Sequence, residues 1–569
     1  MNSTSASPSH KAATGGRAAE SRTGGRAAES RTGGRAAEAR TGGRAPRARP
    51  PVAALCNARP PVAAFLALWF TAIWAGAGCR RAPAPETTDQ AAERRRVHVE
   101  RETWNACYLQ GAKVGYERTT FGSIERDGRR LIHIEGLVHL NVKRFEQTTQ
   151  TEMRLTSVET PEGQLLEFAS RVDAGTTPLG IRGRVVGDRL EVQTTSHGKT
   201  TTTSARWSRE YGGYFATEQS LARRPMRPGE RRQLMGLFAG MDQVAAIEMI
   251  ARQFEPVKLL EGTYELLKID ATLRLPDGQT LDETVWADRT GEVWRRRSQA
   301  MNLEAFRVPK QVALDTSEAA AFDLGKDLSV PIGRAIASPH RTRRIRYRVR
   351  LEGGDPAGRL VSGYSQRVRS VDPHTAEVTV YAVRPGVAAG NLDAAEDRPS
   401  EDDLAANHLI QSDSAKIKAI AAETAADEQD PWRVALALER RTRALITKHD
   451  YSQAFASAAE VVENGVGDCT EHAVLLAALA RARGIPARAA IGLVYFEPDG
   501  KPQFAYHMWV EVYLGEHWIP LDATLAQGGI GAAHLKLAHG SLKGASALSS
   551  FLPVAQVAGR LKIEVEEVE

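Results

Sequence analysis

The tightest constraint on this 569-residue chain is a helix start that carries a cysteine, Gly467-Asp468-Cys469-Thr470-Glu471-His472. Residues 473–482 read AVLLAALARA, a run of strong helix formers. Gly484 and Pro486 stop that run, since glycine accepts the left-handed conformation past a last turn and proline cannot continue a helix. Asp468 is a good N-cap and Glu471, three residues on, is its capping-box partner. Cys469 then falls at the first helical position. The unpaired N–H groups and the positive end of the helix dipole there favour thiolate over thiol. Gly465 and Gly467 leave room for a backbone to approach. Position alone leaves a second reading open, a buried structural thiol.

The next segments weigh against that second reading. YHMWVEVY at 506–513 alternates, and HWIPLDAT at 517–524 can pair with it. A tight turn at Leu514-Gly515 predicts an antiparallel hairpin whose paired residue numbers sum to 1029. His507 and Asp522 also sum to 1029 and so face each other across the strands. A carboxylate on an imidazole orients the ring and stabilises its cation, which is what the base of a thiol nucleophile requires. Trp509 reads as a core aromatic beneath this site. His472 invites a metal reading, but no further Cys/His pair has zinc-like spacing, so neither metal nor cofactor is expected.

GVGDCTEHAVLLAALARARGIPARAAIGLVY and YHMWVEVYLGEHWIPLDAT resemble the core of the transglutaminase-like superfamily in its bacterial branch. The similarity covers residues 430–525, about a sixth of the chain. It implies an α+β fold with a papain-like core and a triad of Cys469 as nucleophile, His507 as base and Asp522 as the orienting carboxylate. Acyl chemistry also needs an oxyanion hole. The N–H of Cys469 is one donor, and Tyr451 or Gln453 in the YSQAF segment is the candidate for the other. Family members include protein cross-linkers, peptidases, amidases and proteins without catalysis. The expectation is a peptidase or amidase acting through a thioester. The alternatives are a cross-linking transglutaminase and a non-catalytic envelope binding module.

The remaining organisation follows from composition. Residues 1–50 hold four near-copies of a nine-residue unit, TGGRAAESR, that has no large apolar residue with which to build a core. They read as a disordered tail. They carry ten Lys or Arg and three Asp or Glu, net +7, against +6 for the whole chain, so the other 519 residues net −1. The basic character belongs to the tail, and no nucleic-acid partner is expected. Residues 51–79 read as an export signal: Arg59, an apolar run from Val62 to Ala75, then Gly76-Ala77-Gly78 before Cys79. Small residues ahead of a cysteine resemble a bacterial lipoprotein processing site with Cys79 as the lipidation point, although Gly76 stands where leucine is usual. The chain is thus expected in the periplasm or envelope as a membrane-anchored lipoprotein, with a single membrane anchor or ordinary secretion as alternatives, and with a peptide or protein as substrate.

A linker at 80–96 precedes a large antiparallel β-rich region, 97–330, curved or partly closed. A small β module is expected at 334–390, an acidic linker at 391–403, and the transglutaminase-like domain at 404–569. Within that domain, Asp430-Pro431 marks a helix start, a glycine-containing loop after 525 and the stretch to 555 are expected to shape the cleft mouth, and IEVEEVE reads as an edge strand.

Overall fold

The computed structural model describes residues 97–144, 147–173, 178–196, 199–238, 243–276, 278–315, 322–386, 390–391, 394–449, 455–543 and 550–569. The repeat tail, the signal with Cys79, the linker at 80–96, and Tyr451 and Gln453 lie outside them.

Alternating segments between His98 and Arg307 form one sheet of fifteen strands. Neighbours in sequence pair antiparallel, and the first strand, His98–Leu109, also pairs with the last, Leu303–Arg307. The sheet therefore runs as a ring opened between Lys199–Arg206 and the two-residue strand Tyr211–Gly212. Tyr211–Gly212 is the exception to the pattern, pairing parallel with Arg231–Phe238. Charged groups inside the sheet are matched. Arg296 meets Glu117 at 2.6 Å and Glu218 at 3.5 Å, and Arg118 and Arg154 both reach Glu135. A cavity of about 130 Å³ lies among Arg101, Arg118, Arg296, Glu117 and Phe121.

Two smaller sheets complete the fold. Arg344–Leu351 alternates strictly, burying Ile345, Tyr347, Val349 and Leu351 while its arginines face outward. It pairs with Thr375–Tyr381 on one side and with the C-terminal strand Leu561–Val568 on the other. The chain end is thus an edge strand of the small module, not of the sheet that carries the triad candidates. That second sheet orders Val330–Pro331, Gln503–Leu514, Ala487–Phe496 and His534–Gly540, with His517–Leu521 pairing onto Gln503–Leu514. His534–Gly540 adds a strand within the stretch expected at the cleft mouth.

The acidic stretch before 404 is also more than a spacer. Glu396 accepts the N–H groups of Tyr364 and Trp518, and the Asp397 carbonyl accepts the Trp518 indole N–H. The stretch supplies acceptors that a hairpin edge would otherwise lack. Among the described residues no helix is long and apolar enough to cross a membrane.

Candidate active site

The helix Cys469–Ala482 is buried along its whole length to Arg481, because it lies against two strands and the helices Ala415–Glu423, Pro431–Leu445 and Ala458–Asn464. A helix enclosed on all sides is apolar all round, as AVLLAALA is. Its start is built as the sequence indicates. Asp468 accepts the Thr470 N–H at 2.7 Å, and Glu471 accepts the Asp468 N–H at 2.9 Å. Glu471 also accepts the Ala456 N–H, which anchors the helix start to the segment before it. Cys469 is the first helical residue and is 7% exposed. Asp430 likewise caps Pro431–Leu445 through the Trp432 N–H.

His507 and Asp522 are brought together by a hairpin whose register differs from the expected one. Leu514 pairs with His517 and Val510 with Leu521, so paired numbers sum to 1031. The turn residues are Gly515 and Glu516, both with positive φ (56° and 71°), the pair a two-residue hairpin of the tightest type requires. A two-residue slip keeps every side chain on its face. Asp522 therefore lies one pair beyond the end of the ladder and reaches His507 diagonally, with Oδ2 2.8 Å from His507 Nε2. Cys469 lies near enough to His507 to add to its basicity.

Burial alone would lower the basicity of His507. The Asp522 charge and hydrogen bond, with Cys469 adding to them, overcome it and hold the imidazole at about 10. Burial likewise disfavours the Asp522 carboxylate, but His507 and the bonds from two histidines keep it well below its ordinary range. The cluster is thus an imidazolium between a carboxylate and the Cys469 sulfur.

The second histidine is His534, whose Nε2 lies 3.1 Å from the same Oδ2. It was not among the expected site residues. The pattern HLKLAHG, with His and Lys every second residue, reads as a half-solvated strand, yet His534 and Lys536 are both buried. His507, Asp522 and His534 offer three potential ligand atoms within 4.8 Å of one another. Two imidazole N–H groups sharing one carboxylate oxygen account for that closeness without an ion.

Trp509 packs against both rings, tilted 23° from His507 and edge-on to His534. It closes over Gly492, where a Cβ would come within 2.8 Å of the indole and 2.0 Å of the Leu535 carbonyl. Glu439, buried on Pro431–Leu445, accepts the N–H groups of Gly528 and Gly529 and fixes the loop after Asp522. His472 gives Nδ1 to the Asp468 carbonyl, and burial lowers it to about 4, so it stays neutral.

Residues 418–523 match the transglutaminase-like superfamily and form a transglutaminase-like domain. A comparison with curated proteins returns no match. Among solved structures, a candidate cysteine protease from Cytophaga hutchinsonii is 16% identical, covering 40% of this chain and 85% of its own, with a TM-score of 0.25. A beta-barrel-like protein of a domain of unknown function from Brucella abortus is 11% identical, covering 36% of this chain and 94% of its own, with a TM-score of 0.28. A candidate protease from Parabacteroides distasonis is 11% identical, covering 62% of this chain and 63% of its own, with a TM-score of 0.16.

Proposed function

We propose that the transglutaminase-like domain is a thiol acyl-transfer centre that hydrolyses an amide in a peptide or protein. The observation that carries this is the buried His507–Asp522 pair at 2.8 Å, with Cys469 near His507 at the start of a buried helix. A cation held against a sulfur at a helix N-terminus is the setting in which cysteine reacts as thiolate.

The Cys469 sulfur attacks the carbonyl carbon, forming a C–S bond while the oxygen takes the negative charge and the Cys469 N–H donates to it. His507 gives its proton to the amine nitrogen, the C–N bond breaks, and a thioester remains. Water then attacks the thioester and yields its proton to His507. The C–S bond breaks, the carboxylic acid leaves, and thiolate and imidazolium are restored. Asp522 keeps the ring aimed and its cation stable throughout. A lysine amine in place of water would make the same centre a cross-linking transferase. Water needs no dedicated donor site, which favours hydrolysis.

The reading extends to location. The apolar run before Cys79 acts as an export signal, and lipidated Cys79 tethers the chain to the envelope. Metabolic labelling with an alkyne fatty acid should mark the chain, and Cys79→Ala should abolish the label. An unchanged label in that variant would reject the anchor.

The triad test is iodoacetamide labelling of the full-length chain between pH 5 and 9, with the modified site located by mass spectrometry. Cys107 is the internal control, because complete burial pushes its thiol well above the ordinary range. Cys469 should label selectively below pH 7 and lose that reactivity in His507→Ala. Labelling only above about pH 8, where an ordinary thiol ionises, would reject the catalytic reading and leave a binding module on the same fold. Once labelling succeeds, peptides supplied with and without a tagged amine separate hydrolysis from cross-linking.

A further inference from the structure

We propose that His534 is a positioning residue for this site: a neutral second imidazole that donates to Asp522 Oδ2 and holds the carboxylate in line for His507. The proposal rests on the triad reading above and adds to it a residue eleven positions past the end of the segment that matches the family.

The geometry supplies the argument. A carboxylate oxygen can only accept, so each Nε2 in contact with Asp522 Oδ2 carries a hydrogen: His507 at 2.8 Å and His534 at 3.1 Å. The other oxygen, Oδ1, accepts the N–H groups of Thr524 at 2.9 Å and Leu525 at 3.3 Å. Four donors thus fix both oxygens, two on backbone and two on imidazoles. A carboxylate held on one edge by backbone alone could still pivot about its Cβ–Cγ bond. The His534 bond closes that freedom on the edge that faces His507.

The path from Asp522 to His534 is pinned along its length, so the return of His534 is a property of the fold. Ala526 N–H donates to the Asp522 carbonyl, and Glu439 holds Gly528 and Gly529. Ile530 pairs with Val383, Ala532 N–H donates to the Thr342 carbonyl, and the Ala532 carbonyl accepts the Tyr347 hydroxyl. His534 itself is 2% exposed and meets Trp509 edge-on with ring centroids 5.4 Å apart.

The charge state follows from the neighbours. Apart from His507 and His534, the titratable groups that sense Asp522 are Glu439, His472 and His340. The His507 and His534 ring centroids are 6.1 Å apart, so a second cation would oppose the first. Burial lowers His534 from its ordinary value against the pull of Asp522 and the Gly531 backbone, so of the two imidazoles it is the weaker base and the one that adds no second cation. A neutral donor makes Asp522 less basic, so the proton stays on His507.

The test uses the full-length chain with ¹⁵N-histidine and three forms: wild type, His534→Phe and His534→Gln, whose amide can donate from about the same place. Loss of the Asp522 alignment should lower the His507 titration by about one pH unit and slow Cys469 alkylation at pH 6.5 about tenfold in His534→Phe. His534→Gln should restore both. A His534→Phe protein that melts lower but keeps the wild-type His507 titration and alkylation rate overturns the proposal, since packing alone would then be the role of His534. If His534→Phe does not fold, the wild-type ring decides: protonated Nε2 with bare Nδ1 supports the proposal, and the opposite tautomer overturns it. Absence of wild-type alkylation below pH 7 rejects the triad reading instead, and leaves the His534 tautomer separately measurable.

Discussion

His507 and Glu511 lie four residues apart on one strand and face the same way, yet they belong to two buried polar clusters of opposite character. Glu511 meets Arg488 at 2.8 Å across the register, bonds Lys536 on the far strand, and has Trp518 under the Arg488 guanidinium at 3.9 Å. Burial disfavours the Glu511 carboxylate, but Lys536 and Arg488 outweigh it and hold it down at about 2. Burial lowers Lys536 while the Glu511 charge opposes that, and the cluster ties three strands together. The His507 cluster replaces those cations with imidazoles and adds a thiol at a helix start. Buried charge is common to both. A cation that can give up its proton, next to a nucleophile, belongs to one.

Asp522→Asn breaks the comparison most severely. An amide cannot stabilise the imidazolium, and orienting carboxylates of this kind are worth roughly 10³- to 10⁴-fold in rate. Cys469 alkylation and any amidase activity of the folded fraction should fall by that order. A loss under tenfold would mean that Asp522 does not orient His507.

Glu511→Gln should do the reverse. It leaves Arg488 and Lys536 buried without their carboxylate, which costs about 3–5 kcal/mol of stability. Denaturant unfolding should show that loss, while alkylation of the folded fraction stays within about threefold. A rate defect as large as that of Asp522→Asn in folded protein would show that the two clusters are one functional unit.

Glu439 sharpens the contrast through pH. Burial, with a smaller contribution from the Asp522 charge, raises this carboxyl from 4.5 to about 7 against the backbone N–H groups that favour its ionised form. The folded state then binds the proton more tightly than the unfolded chain. Stability should fall as pH rises from 4.5 to 7, by roughly 3 kcal/mol over that window. Glu439→Gln has no proton to lose, so its unfolding free energy should be flatter than wild type across the same range. Parallel curves for the two proteins would show that Glu439 is not the group that titrates.

The parts of this site that could be read in the sequence are those with local causes. Asp468, Cys469 and Glu471 are placed by the chemistry of a helix end, within four residues of one another. The hairpin is local too, and its face survived a register that depends on whether Gly515 is the first or second residue of the turn. His534 is different. It reaches Asp522 through a loop held by Glu439, Val383, Thr342 and Tyr347, partners up to nearly two hundred residues away in sequence. Its strand also alternates His and Lys with apolar residues, which reads as solvated when the polar face is in fact turned onto other buried polar groups. The large sheet was legible as alternation and turns. The closure of its first strand on its last joins segments too distant for any pattern to announce.

Trp509 tests the smallest difference. It separates the two clusters on the shared face, and its indole N–H is buried with no hydrogen-bond partner. An unpaired donor of this kind costs stability, so Trp509→Phe removes an unsatisfied group along with some packing. If Trp509 is core and nothing more, the two effects should nearly cancel. The unfolding free energy should then move by no more than about 1 kcal/mol and the alkylation rate should stay unchanged. A donor left unpaired beside a nucleophile can also be one that waits for a developing oxyanion, and loss of such a donor slows turnover by about 10²- to 10³-fold. Alkylation by iodoacetamide forms no oxyanion, whereas amide hydrolysis does. A Trp509→Phe protein that alkylates like wild type but hydrolyses a hundredfold more slowly would move Trp509 from the core into the reaction.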